Sequence, residues 1–103
     1  MTAADSKQED PRSDTMPSYS EVTVYSRKNC PDCAATKIYM RKHDVPFTEV
    51  DITYKPIISA ALIEQGFKQV PVVEWFIDGT TGSWTGFHSE SIENLAHLIK
   101  GDQ

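Results

Sequence analysis

The sequence predicts an α/β fold in which a mixed four-stranded sheet, in the chain order β-α-β-α-β-β-α, is flanked by three helices. Three observations predict it. Short runs rich in β-branched and aromatic residues alternate with segments of helical period. The last two strand-like runs are separated only by a turn built on Asp78-Gly79. The chain then closes on a segment with apolar residues at helical spacing, Ile92, Leu95, Ala96 and Ile99.

Each element has its own local reason. Glu21 to Ser26 (EVTVYS) is a short strand with apolar residues at Val22 and Val24. Arg27-Lys28-Asn29 is a loop leading into Cys30, and Pro31 suits the first turn of a helix, where its missing N–H is no loss. That helix runs to about His43, with Cys33, Thr36 and Met40 at i, i+3 and i+7 on its inward face. Phe47 to Asp51 (FTEVD) alternates like a half-buried strand. Thr53 is the expected cap of a second helix, with Pro56 in its first turn, one face marked by Ile58, Ala61, Leu62 and Gln65, and Gly66 as its stop. A third strand (VVEWFI) begins after Pro71 and ends at Ile77. Asp78 to Gly82 is read as a turn, Ser83-Trp84-Thr85 as a short fourth strand, and a last helix starts near His88 or Ser89. The first two strands, joined by a helix, are expected to be parallel through a right-handed crossover, and the final hairpin antiparallel. That arrangement is the minimal thioredoxin fold.

With 103 residues the chain has room for one domain. Residues 1–20 read as a disordered tail ahead of a folded domain at 21–103. In the tail Asp5, Glu9, Asp10 and Asp14 stand against Lys7 and Arg12, a charge of −2, and Met16 is an alternative start. The formal charge of −5 argues against a general nucleic-acid binder or an anionic-membrane binder, both of which reward basic patches. No run approaches the roughly 18 apolar residues a spanning helix needs, and no secretory pattern opens the chain. A cytoplasmic monomer is the expectation.

The two cysteines, Cys30 and Cys33, are the only ones and lie three positions apart. A disulfide across so short a loop offers little entropic stabilisation, so chemistry explains the pair better than stapling. Between a strand and a helix, Cys30 meets the unpaired N–H groups and positive dipole end of the helix, which favour a thiolate and a nucleophile. Cys33, one turn on and more covered, is the expected resolving thiol. Lys28 either helps hold the thiolate and substrate or is an ordinary loop lysine, while Asp32 opposes ionisation. Zinc would need more ligands than His43, His88 and His97 supply at suitable spacing, and no metal is expected. Val70-Pro71, about 40 residues after the pair, suits a cis peptide beside the Cys30 sulfur, with the Val70 backbone offered to an extended substrate.

The segments VTVYSRKNCPDCAATK (22–37), FTEVDIT (47–53), GFKQVPVV (66–73) and SWTGF (83–87) resemble the NrdH-redoxins, a group of glutaredoxin-like proteins. The resemblance implies a dithiol electron donor to class Ib ribonucleotide reductase, reduced by thioredoxin reductase with electrons ultimately from NADPH, and carrying no bound cofactor. It makes Cys30 the nucleophile and Cys33 the resolving thiol, gives Val70 and Pro71 to the cis-proline loop, and gives Trp84, Gly86 and Phe87 to reductase docking. Trp84 and Phe87 also read simply as packing at the hairpin and helix entry. The chain departs from the family pattern at His88-Ser89-Glu90, in its CPDC pair, and in a longer segment between Val73 and Trp84. Two rival functions follow from the same residues. One is a glutathione-dependent dithiol glutaredoxin, against which Phe87 stands where a second glycine would let a backbone approach. The other is a non-enzymatic iron–sulfur or metal carrier, which needs thiolate ligands from elsewhere.

Overall fold

Alternation along the first strand decides which helix covers which face of the sheet. The structure, a computed structural model, describes residues 20–100. The expected tail therefore lies outside the described residues, apart from Ser20, which opens β1 (Ser20–Ser26). On β1, Val22 and Val24 are buried in one apolar cluster, while the next residue, Tyr25, packs half-buried on another. The first cluster takes Met40 from α1 (Pro31–Lys42) and Ile92, Leu95 and Ala96 from α3 (Ser89–Ile99). The second takes Leu62 and Ile58 from α2 (Pro56–Glu64). Helices α1 and α3 thus share one face and α2 takes the other, the layered arrangement that a two-faced sheet requires.

The sheet order is β2-β1-β3-β4, with β2 (Thr48–Asp51) parallel to β1, and β3 (Val72–Ile77) antiparallel both to β1 and to β4 (Thr80–Thr85). This is the expected mixed sheet in the expected order. Three local readings change. Thr53 does not cap α2; Lys55 holds that position with no side-chain bond, and Thr53 is engaged with Asp51 and the loop before Cys30. Ala61 and Gln65 are exposed, so only Leu62 and the half-buried Ile58 carry the inward face of α2. The hairpin is also tighter than expected. Ile77 pairs directly with Thr80, which makes Asp78-Gly79 a two-residue turn with φ of 49° and 86° and puts Thr80, Thr81 and Gly82 into β4. Both positive φ values suit the turn type that matches strand twist, and Asp-Gly is a favoured pair for it. Gly82 then lies in the strand under the Trp75 indole, its register partner.

Candidate active site

The C-terminal end of β1 delivers the chain into the site. Asn29 takes φ 58°, a left-handed conformation that asparagine tolerates, and so turns the backbone into α1. Cys30 becomes the N-cap residue, with Pro31 opening the helix. The Cys33 N–H donates to Cys30 Sγ at 3.1 Å, so sulfur fills the acceptor place that a serine or aspartate oxygen usually takes at an N-cap. Cys30 and Cys33 are joined in a disulfide with 5.2 Å between their Cα atoms. Cys30 is half-buried while Cys33 is 2% exposed. One cysteine is partly open to solvent and the other is covered.

Val70-Pro71 is a cis peptide, and the Val70 carbonyl oxygen lies 3.9 Å from Cys30 Sγ. The expected juxtaposition of this loop with the pair is present. Gly86 donates its N–H to the Pro71 carbonyl at 2.9 Å, which ties the segment after β4 to the same loop. Trp84 is half-buried against the first apolar cluster, and Phe87, 39% exposed, stands edge-on to Tyr39 with ring centroids 5.6 Å apart. Trp84 therefore packs, whereas Phe87 both packs and presents surface. The Lys28 ammonium lies over the Tyr54 ring at 5.7 Å, and its backbone N–H donates to Thr53 Oγ1 at 2.9 Å.

Beside the cysteines runs a shallow cleft of about 550 Å³, lined in part by Lys28, Cys30, Cys33, Lys37, Glu49 and Asp51. Glu49 Oε2 accepts from Lys37 Nζ and from Ser26 Oγ, each at 2.7 Å, so one carboxylate ties α1, β1 and β2 together next to the pair. The Lys37 ammonium, helped by the Ser26 hydroxyl, holds the Glu49 carboxyl below its ordinary range. Asp51 is likewise lowered, by the hydroxyl and backbone N–H of Thr53. Sequence reasoning missed Ser26, Lys37, Glu49 and Asp51. The detectable signal was the polar residue at an inward position of β1, Ser26, which needs a partner when buried. A second groove, of about 320 Å³, opens on the other side of Val70 over Ile52, Leu62 and Phe67, with Arg27 and Lys68 among its lining. Two buried polar side-chain atoms have no hydrogen-bond partner among the described residues: Thr36 Oγ1 and Trp84 Nε1. Nor, among those residues, is any group of three or more His, Cys, Asp or Glu arranged to hold a metal ion. No helix among them is long and apolar enough to cross a membrane.

A cysteine pair capping a helix, one sulfur open and one covered, beside a cis-proline loop on this sheet, defines a thiol–disulfide oxidoreductase of the thioredoxin fold. The glutaredoxin family profile matches residues 22–81. The glutaredoxin-like protein NrdH of Escherichia coli K12 is 38% identical over 74 residues, covering 72% of this chain and 86% of its own. Its counterpart in Lactococcus lactis MG1363 is 33% identical over 75 residues, covering 73% of this chain and 99% of its own. The solved structure of the Escherichia coli NrdH-redoxin superposes with a TM-score of 0.63 at 35% identity, over 73% of this chain and 93% of that one. The chain belongs to the glutaredoxin family, among its glutaredoxin-like NrdH members.

Proposed function

We propose that this protein reduces a disulfide in a protein partner, the partner being class Ib ribonucleotide reductase, and is itself re-reduced by thioredoxin reductase. The observation that carries the reading is the Cys30 sulfur, open to partners and accepting the Cys33 N–H at 3.1 Å at the head of α1. That position favours a thiolate on Cys30 when the disulfide opens, through the helix N-terminus and its unpaired donors. Cys30 attacks a substrate sulfur, the substrate's disulfide breaks, and a mixed disulfide forms. Cys33 then gives up its proton and attacks Cys30 Sγ, the mixed disulfide breaks, and the substrate leaves as a thiolate that takes up a proton. Two electrons pass to the substrate and the Cys30–Cys33 disulfide re-forms.

In this reading Val70 and Pro71 hold the substrate backbone beside Cys30, Lys28 borders the substrate path, and Trp84, Gly86 and Phe87 form the reductase-facing segment. The dithiol is the electron carrier, so no bound cofactor is required. The protein works in the cytoplasm as a monomer. Support for the partners comes from the likeness to NrdH proteins, and the solved Escherichia coli relative is described by a thioredoxin-like activity profile.

One observation favours glutathione as the donor instead. Arg27 and Lys68 line the groove beside Val70, where cations suit the carboxylates of a tripeptide. NADPH oxidation with a disulfide substrate separates the two. Turnover with thioredoxin reductase and none with glutathione plus glutathione reductase supports the proposal, and a ribonucleotide reductase assay follows. Turnover with glutathione alone rejects it in favour of a dithiol glutaredoxin. A colourless, iron-free preparation dismisses the iron–sulfur carrier.

A further inference from the structure

Thr36 is a buried hydroxyl that the oxidised protein leaves without a partner. Its residue is 0% exposed, and Oγ1 finds no hydrogen bond among the described residues, including the carbonyl four positions back that helical threonines commonly use. Buried polar atoms are nearly always paired, so this one calls for a reason. Its place supplies one. Thr36 sits one turn after Cys33 on the covered face of α1, and both residues are buried there with Met40. Helical side chains lean toward the N-terminus, so the Thr36 side chain lies over the turn that carries Cys33. In the disulfide the Cys33 sulfur is drawn toward Cys30 and carries no charge.

We infer that the Thr36 hydroxyl is a positioning residue for Cys33, donating a hydrogen bond to its sulfur when the disulfide is open and releasing it when the disulfide closes. The sulfur of a residue that is only 2% exposed has little water to stabilise it as a thiolate, and a neighbouring O–H supplies that stabilisation from within. Among the described residues, the only other hydroxyl buried to this degree, that of Ser26, is committed to Glu49. Of the charged side chains about the pair, Asp32 lies between the two cysteines, and Arg27, Lys28, Lys37, Glu49 and Asp51 line the solvent-open cleft; all of them are kept when Thr36 is replaced. When Cys33 attacks Cys30 Sγ, its sulfur charge passes into the new bond and on to the departing substrate thiolate. The hydroxyl is then stranded, as observed. The inference rests on Cys33 being the resolving thiol, which capture of substrate by a Cys33→Ser variant tests without involving Thr36.

The experiment replaces Thr36 with valine, equal in shape but without the hydroxyl, and with serine, which keeps it. Two quantities are read: the thiol–disulfide equilibrium constant against a glutathione redox buffer, and the ionisation of Cys33 in a Cys30→Ser background. With valine the equilibrium is expected to move about three- to tenfold toward the disulfide, the usual worth of one buried hydrogen bond, and Cys33 to ionise at higher pH. With serine both stay within about twofold of the parent. Thr36→Ala, read the same way, keeps the test decisive should the valine variant fail to fold. Unchanged values in the hydroxyl-free variants overturn the inference, and so does serine shifting as far as valine.

Discussion

Replacing Gly82 with alanine puts a methyl group inside the Trp75 indole. A Cβ built on Gly82 would lie 2.4 Å from Trp75 Cζ2, 2.6 Å from Cε2 and 2.7 Å from Nε1. Ordinary carbon contacts are near 3.5–4.0 Å, so the ring must retreat by roughly an ångström or more. The three atoms belong to one rigid fused ring, and Trp75 packs against the first apolar cluster, so a small torsional adjustment does not relieve the clash. Overpacking of this kind costs about 1–3 kcal/mol. Removing a glycine from a strand returns about 0.5–1 kcal/mol. The net loss centres on about 1 kcal/mol, which for a domain of this size lowers the melting temperature by about 4–8 °C. Urea unfolding followed by circular dichroism measures it in the reduced protein. Removing the indole in the same chain with Trp75→Leu should make the alanine nearly free, a non-additivity that identifies the clash. A Gly82→Ala protein as stable as the parent, or additivity with Trp75→Leu, would refute the reasoning.

Other perturbations reach the site itself. The Glu49 carboxyl is held low by Lys37 and Ser26, so its contribution to stability is present above the unfolded glutamate range and disappears as pH falls through the folded value. Glu49→Gln should therefore lose less stability than the parent between neutral and acidic pH, as read by melting curves along a pH series; parallel curves would contradict the assignment. Thr53→Val removes the acceptor of the Lys28 N–H and the hydroxyl that donates to Asp51 Oδ1. It should cost about 1 kcal/mol, and hydrogen exchange at the Lys28 amide should accelerate; an unchanged exchange rate would show that this bond does not anchor the loop.

The strands, helices and cysteine pair were legible because each rests on local chemistry. Val22 and Val24 alternate, Cys33, Thr36 and Met40 share a helical face, and Pro31 marks a helix start; all of these stand in the structure. Local patterning failed where long-range contacts decide. Thr53 carries a capping residue's chemistry, but its hydroxyl is used 25 positions away by the Lys28 N–H. Thr80 to Gly82 read as turn because small polar residues cluster there, whereas the register with β3 and the Trp75 ring over Gly82 hold them in the sheet. The Ser26–Glu49–Lys37 network joins three elements, and no spacing along the chain foretells it. Trp84 looked equally suited to core and surface, and its neighbours on the sheet place it against the core.

The central claim is a division of labour between an open Cys30 and a covered Cys33. It is tested most directly by incubating Cys33→Ser and Cys30→Ser variants with a disulfide-bonded peptide and weighing the products by intact mass spectrometry. The expected result is a stable adduct, one peptide mass heavier, on the Cys33→Ser protein alone, because Cys30 attacks and nothing remains to resolve the bond. Equal or greater adduct on Cys30→Ser would mean that the covered sulfur is the nucleophile, and the account of the site would be wrong.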